Sequence, residues 1–454
     1  MSISKMHLSL LSAIILGIGP FILAASDASP SKVSAEAGHK FILSSRGLAE
    51  KGMWKCTPGV GDVNKDGHRD IASISRLGTG PRVWLGNGNS EWVDSSRGLD
   101  MRGSCGGGTA IGDVDKDGIP DLVVADHCTG VHVYLGDGRG EWKQVVRALS
   151  PARFGPLPEE DENWRLLVGT EDIAIGDVNG DGFPDLVVCA SEYGGIHVYL
   201  GDGTGTNWAQ SSAEGLPSAR DPALEQDVGW ANQVLLIDVN KDGHLDIVAS
   251  YHEGPRVWLG DGKGKWRASS AGLPEPTVYG LYRGIAVGDV NADGALDIVA
   301  ANIVNGPEMY FQRPDGSWAQ APDVFPEMQG GAVACDLGDL DGDGIAELVV
   351  GGRLTQELGN NYGIFVLKRH GSEWKREERT DLPSRGLSVV WGIRVTDLNE
   401  DGRPDILVSS GGVTPGEEQA RPARKAKAPN PVASVQLVPE EALPRMQVWL
   451  NTPG

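Results

Sequence analysis

The chain has 454 residues, a formal net charge of -22 and 64 glycines, with 40% apolar residues. A strongly negative balance disfavours nucleic acid and anionic membrane surfaces as partners. Short Val/Ile/Leu runs between Gly-rich turns point to an all-β fold rather than a helical one.

At the N-terminus, Lys5 and His7 precede an apolar run from Leu8 to Leu23, with small residues Ala24, Ala25 and Ser26 behind it. This pattern predicts a signal peptide over residues 1–26 and a linker over 27–38. The run is short for a membrane span, and an uncleaved anchor is the alternative. No later segment is long and apolar enough to cross a bilayer, so the expected location is secreted, periplasmic or cell-surface.

From residue 39 onward one acidic motif, D-x-[DN]-x-D-G-x-x-[DE], recurs seven times at intervals of 50 to 64 residues. A period of that size marks supersecondary units that bury their apolar faces only against neighbours. The motif supplies oxygen donors at alternate positions of a tight turn, at positions one, three, five and nine, with the backbone carbonyl of position seven between them. The expected ligands are Asp62, Asn64, Asp66, His68 and Asp70 in the first loop, and Asp113, Asp115, Asp117, Ile119 and Asp121 in the second. The third and fourth offer Asp177, Asn179, Asp181, Phe183 and Asp185, then Asp238, Asn240, Asp242, His244 and Asp246. The fifth and sixth offer Asp289, Asn291, Asp293, Ala295 and Asp297, then Asp339, Asp341, Asp343, Ile345 and Glu347. The seventh offers Asp397, Asn399, Asp401, Arg403 and Asp405.

Hard oxygen donors in this number suit calcium, up to seven ions, better than magnesium with its stricter octahedron. An EF-hand is excluded because position twelve lacks the bidentate glutamate and strands flank the loop. Asx-turns without metal are the plainer alternative. Positions one, three, five and nine of these loops carry 23 of the chain's carboxylates, so seven calcium ions would reduce the net charge to about -8.

Within each unit the sequence reads as four strands. In the fourth, Gln233–Ile237 leads into the acidic loop and Ile247–Ser250 follows it. Arg256–Leu259, a GDGKG turn and Lys265–Ser270 complete the unit. Asp-Gly between strands is a hairpin signal. Trp92, Trp142, Trp208, Trp266, Trp318 and Trp374 open the predicted outer strands and read as structural. Seven four-stranded antiparallel units repeated radially give a seven-bladed β-propeller. The seventh unit stops after its third strand, at Met446–Leu450. Residues 40–48 (KFILSSRGL) match 91–99 (EWVDSSRGL), with Phe41 in the place of Trp92. The N-terminal strand is therefore predicted to close the last blade and remove the open edges. Insertions fall at 151–167, 218–228 and 412–445; the last carries the basic Pro/Ala stretch RPARKAKAPNPV and is predicted to be disordered.

The GDVNxDGxxD pattern resembles the FG-GAP and FG-GAP-like (VCBS) repeats of integrin α-type propellers and secreted bacterial proteins. That resemblance implies a seven-bladed propeller with calcium in the loops between first and second strands, and ligand contacts on the opposite face. The Phe-Gly and Gly-Ala-Pro signatures of integrins are not evident, so an integrin-type ligand is not implied.

On the opposite face the connections after the second strands carry Arg76, Asp126, His127, Ser191, Glu192, Tyr193, Tyr251, His252, Glu253, Asn302 and Arg353. The starts of the inner strands add Trp54, Trp230, Tyr282, Arg283 and Trp391. Aromatic rings beside charged groups suit a glycan or protein ligand; packing between blades is the alternative for each. His127, His252, Glu192 and Glu253 could form an acid/base or zinc set, which keeps a polysaccharide lyase or hydrolase as the alternative function. No nucleophile or phosphate-loop motif is present. His132 and His197 share a third-strand position with Arg82 and Arg256, which predicts ordinary surface sites. Of five cysteines, Cys105 and Cys128 flank the second loop and are the disulfide candidate; Cys56, Cys189 and Cys335 remain. The sequence reads as a calcium-binding module.

Overall fold

The computed structural model describes residues 40–453 apart from 77, 79, 90, 102, 150–168, 191–194, 212–213, 217–229, 275–280, 357–360 and 413–442. The predicted signal peptide and linker lie outside the described residues, as do the insertions apart from the margins of the last.

Every described element is a strand, and the strands form seven antiparallel sheets. The inner strands are Gly59–Gly61, Thr109–Gly112, Thr170–Gly176, Ala231–Ile237, Tyr282–Gly288, Ala332–Gly338 and Val390–Thr396. Each inner strand enters an acidic loop, and position nine of that loop opens the second strand. In blade three, for example, Gly176 pairs with Asp185. The second strands, such as Asp121–Asp126 and Asp185–Ala190, are buried along their whole length. Neighbouring blades cover both of their faces. Their sequences (DLVVAD, DLVVCA) therefore run apolar without alternation, as in any doubly covered strand.

Seven apolar clusters fill the seven seams between blades. The seam joining the last blade to the first holds Leu48, Trp54, Trp84, Leu407 and Val448, so the ring is closed. Closure is made by strand pairing. Lys40–Leu43 pairs with Met446–Thr452, Phe41 standing opposite Asn451. Phe41 is buried with Trp449 in the seam between the sixth and seventh blades.

The outer strands explain the recurring tryptophans and the repeated Arg-Gly-Leu. Trp92, Trp142 and Trp318 each donate their indole N–H to a backbone carbonyl of the preceding blade, of Ser44, Ser95 and Ser269. The glycine after each preceding outer strand lies against the backbone of the next tryptophan. At Gly98, with φ at +95°, an added Cβ would fall 1.9 Å from the Trp142 carbonyl oxygen. Only glycine fits both the left-handed backbone and the approach.

Replacing Phe41 by alanine is expected to destabilise the protein by about 3–5 kcal/mol, read as a lower urea midpoint with an unchanged slope. A loss below about 1 kcal/mol would mean that the N-terminal strand does not close the ring.

Candidate functional site

The acidic loops share one hydrogen-bond design. Position one accepts from the backbone N–H of position six, as Asp62 does from Gly67 at 3.0 Å and Asp113 from Gly118 at 2.9 Å. Position three accepts from the N–H of position five, and position five from that of position seven. Position nine is buried in all seven loops. In six of them its carboxylate spans two segments. Asp70 accepts from Val63 N–H at 2.7 Å and from Gly86 N–H, on the third strand, at 2.9 Å. Asp121, Asp185, Asp246, Asp297 and Asp405 repeat the pair. These aspartates therefore tie loop to blade.

That burial has an electrostatic consequence. Desolvation, reinforced by the loop's other carboxylates and opposed by the backbone N–H groups, raises Asp70 and Asp405 to about 6. The same balance raises Asp121, Asp297 and Glu347 to about 7. The chain concentrates negative charge at these points, and a cation would relieve it. The second loop shows the fit most directly. Carboxylate oxygens of Asp113, Asp115 and Asp121 lie within 4.8 Å of one another. Oδ1 of Asp113 is buried with no hydrogen-bond partner. An all-oxygen set with one buried oxygen unspent can hold a divalent ion. In the first, third, fourth and seventh loops the position-three asparagine donates its amide N–H to the position-five aspartate. In the sixth loop Asp339, Asp341 and Glu347 likewise lie within 4.8 Å of one another, but Asp341, Asp343 and Glu347 there meet the ammonium of Lys368.

On the other face a second cluster forms where the blades converge. From blade three to blade seven the inner strand carries a register shift near its start, in the stretch holding Glu171, Asn232, Arg283, Val333 and Trp391. Each of these residues stands six positions before its loop's first aspartate. A bulge re-aims a side chain, and here it brings together residues from blades that are not neighbours. Glu171 of blade three pairs with Lys55 of blade one and His127 of blade two. The guanidinium of Arg283 in blade five lies 5.6 Å over the ring of Trp391 in blade seven. Gln233 of blade four donates to Thr57 Oγ1 of blade one at 3.2 Å. Contacts between distant blades are possible only beside the propeller axis. Cys56, the blade-one counterpart of the bulge residues, is non-glycine yet has φ at 64°.

Burial would raise Glu171, but the Lys55 ammonium and His127 hold it well below the usual carboxylate range. Burial, then Arg283, pushes His252 down to about 4. It stacks at 4.7 Å on Trp230, whose ring lies 5.8 Å from His127. Burial pushes the Cys56 thiol up, which makes it no nucleophile. The mouth thus offers stacked aromatic rings, a neutral imidazole and a guanidinium.

Several sequence expectations need correction or placement. Arg283, Trp391, His127, Trp230 and His252 gather at the mouth as expected. Asp126 does not serve there: its carboxylate accepts from Cys105, Cys128 and Thr129 N–H groups and braces the Cys105–Cys128 disulfide, which is formed. Tyr282 and Asn302 both bond Glu308. Trp54 packs on Trp84, and Tyr251 on Trp258. Arg353 lies over Tyr362, and Arg76 bridges to Cys105. Ser191, Glu192 and Tyr193 lie outside the described residues. Glu253 carries a buried carboxylate oxygen without a partner among the described residues, but neither it nor the two histidines joins a group of three metal-ligating side chains there. His132 and His197 are buried, not superficial; Gln144 and Gln210 of the outer strands cover them and bond their rings. Sequence reading passed over Lys55, Glu171 and Lys368. The signal was present in register: the position six before each loop runs Cys, Gly, Glu, Asn, Arg, Val, Trp around the ring, too varied for a packing role.

The FG-GAP-like repeat model matches residues 62–124, 113–188, 177–231, 238–300 and 289–350, which together exceed half of the chain. The chain belongs to the FG-GAP-like repeat family. The seventh loop of this FG-GAP-like propeller and its N-terminal closing strand lie beyond the matched stretches. Cartilage acidic protein 1 of Homo sapiens is 28% identical over 229 residues, covering 47% of this chain and 33% of that protein. Its Mus musculus counterpart is 27% identical over 232 residues, 47% of this chain and 34% of the relative. The match thus spans about a third of these curated relatives' length. Among solved structures, an Agrocybe aegerita lectin that recognises non-reducing terminal N-acetylglucosamine is similar at 19% identity and TM-score 0.44, over 71% of this chain and 79% of the lectin. BBS1N, solved in complex with ARL6DN, is similar at 11% identity and TM-score 0.48, over 80% of this chain and 91% of BBS1N. Among the described residues of the propeller, no helix is long and apolar enough to cross a membrane.

The raised position-nine carboxyls fix the pH response of the metal-free propeller. Asp70, Asp121, Asp297, Glu347 and Asp405 titrate at about 6 to 7 folded and at about 4 unfolded. The stability they contribute is therefore complete below the unfolded value and lost as pH rises through the folded one. In chelator the protein is expected to melt higher at about pH 5.5 than at about pH 8. A melting temperature that is flat or rises between them would contradict it.

Proposed function

We propose that this FG-GAP-like propeller is an extracellular binding module, braced by calcium in its acidic loops, that takes an acidic glycan at the channel mouth on the opposite face. The observation that carries the reading is the mouth assembly, in which Lys55, His127, Glu171, Arg283 and Trp391 come from five different blades. His127, Arg283 and Trp391 are partly exposed there for a ligand to touch, while Lys55 and Glu171 are buried beneath them as a paired support. Arg283 has no ion pair among the described residues, and its guanidinium carbon lies over the Trp391 ring, 5.6 Å from the centroid. A guanidinium on an aromatic face next to further rings suits a sugar ring that carries a carboxylate or sulfate. The surrounding chain is acidic, so selectivity for an anion has to come from these local cations.

Calcium is supported by the oxygen-only donor set, the buried unspent oxygen of Asp113 and the family resemblance of the loops. Affinity in the range of extracellular modules, Kd about 0.1–1 mM, is expected. Calcium at ten times Kd then stabilises by about 1.4 kcal/mol per filled loop. Thermal melts should therefore fall by many degrees on adding chelator. Superimposable melts with and without chelator refute the calcium reading.

The ligand reading is tested by titrating the protein with uronate and sulfated oligosaccharides, with neutral oligosaccharides and with acidic peptides. Binding by the acidic sugars alone, weakened at least about tenfold (about 1.4 kcal/mol) by Arg283→Ala, is expected. Binding of the peptides alone would move the module to a protein partner. A second reading, cleavage of the glycan, draws on the Glu171–His127 pair, because a histidine oriented by a carboxylate can act as a general base. New chain ends released from a uronate polymer by the wild type, and lost in His127→Ala, would make it the better reading.

A further inference from the structure

We infer that the sixth acidic loop carries its own cation, the ammonium of Lys368, and takes no divalent ion. The inference rests on the calcium reading for the other loops but is separable from it.

Lys368 lies on the third strand of blade six, Gly363–His370, and its side chain is only 18% exposed. Its Nζ pairs with Asp341 at position three, lies 3.1 Å from Asp343 at position five and 3.8 Å from Glu347 at position nine. Those are side chains from which the motif would ligate a metal. Strand register places Lys368 opposite Lys375, one residue before the pair Arg369–Trp374. The same place in other blades is held by Leu85, Leu200, Leu259 and Phe311. None of those residues can reach a loop with a charge. The cation is peculiar to the sixth blade.

Glu347 is the second departure, and it is fitted to the first. In six loops the short aspartate at position nine spends its two oxygens on two backbone N–H groups. Glu347 gives Oε2 to Leu340 N–H at 2.7 Å, while Oε1 is the oxygen nearest Lys368. The extra methylene lets one carboxylate serve both the loop and the lysine. The second loop also has aspartate at position three, yet it leaves an oxygen of Asp113 unspent. The sixth loop has four carboxylates and an ammonium, so its charge is already partly met. A divalent ion entering there must displace a tethered cation whose effective concentration is high.

The test compares the wild-type chain with Lys368→Leu, which installs the residue found in most other blades. Bound calcium per chain is counted by native mass spectrometry at saturating free calcium, and melting is followed in chelator. Lys368→Leu is expected to bind one more calcium than the wild type. In chelator it should melt lower by about 1–2 °C, because the loop's carboxylates then face one another without a counter-charge. Equal, non-zero counts in the two proteins overturn the inference, as does a wild-type count of seven. If neither protein binds calcium, the calcium reading of the other loops fails. The chelator melt then decides alone: a lower melt for Lys368→Leu keeps the lysine as the loop's cation, and an unchanged melt removes it.

Discussion

A buried carboxylate at the ninth position of each loop couples the acid face to the body of the ring. In six blades one oxygen holds the loop's second residue and the other holds the third strand, so the loop cannot move without disturbing the sheet. The group sits out of water, and its charge is opposed by other carboxylates a few ångströms away. Backbone N–H groups satisfy its hydrogen bonds but do not cancel its charge. Each blade is thereby built around an electrostatic deficit that a cation at the loop would offset. The sixth blade meets part of that deficit within its own chain.

The ring itself depends on apolar burial rather than on charge. Each sheet hides both faces only when a neighbour stands on either side, and the seven seams are continuous around the circle. Sharing the last blade between the two ends of the chain makes closure part of strand pairing. Three outer-strand tryptophans, Trp92, Trp142 and Trp318, add directed bonds to the blade before, which keeps the rim in register at those seams as well as the centre.

The two faces divide the work. One face repeats, because all the loops answer the same local requirement. The other does not repeat, because the inner strands meet near the axis and one side chain there can reach across several blades. Bulges near the starts of five inner strands make this possible. Positions that are equivalent in the repeat become partners of different kinds, an acid with a lysine and a histidine, or an arginine with an indole.

The sequence by itself determined the number of blades, the acidic loops and the exchange of Phe41 for an outer tryptophan, and it offered Cys105 and Cys128 as a candidate pair. Each of these is written within one repeat or in the comparison of two, over short stretches with fixed spacing. It did not determine which variable residues face one another. Lys55, His127 and Glu171 lie 116 residues apart from first to last, and only closure of the ring brings them together. Lys368 is likewise invisible until strand register places it beside a loop more than twenty residues earlier in the chain. The buried histidines His132 and His197 were misjudged for the same reason. Their cover is a glutamine on the adjacent outer strand, and burial is a property of packed neighbours rather than of a residue's own place in the repeat.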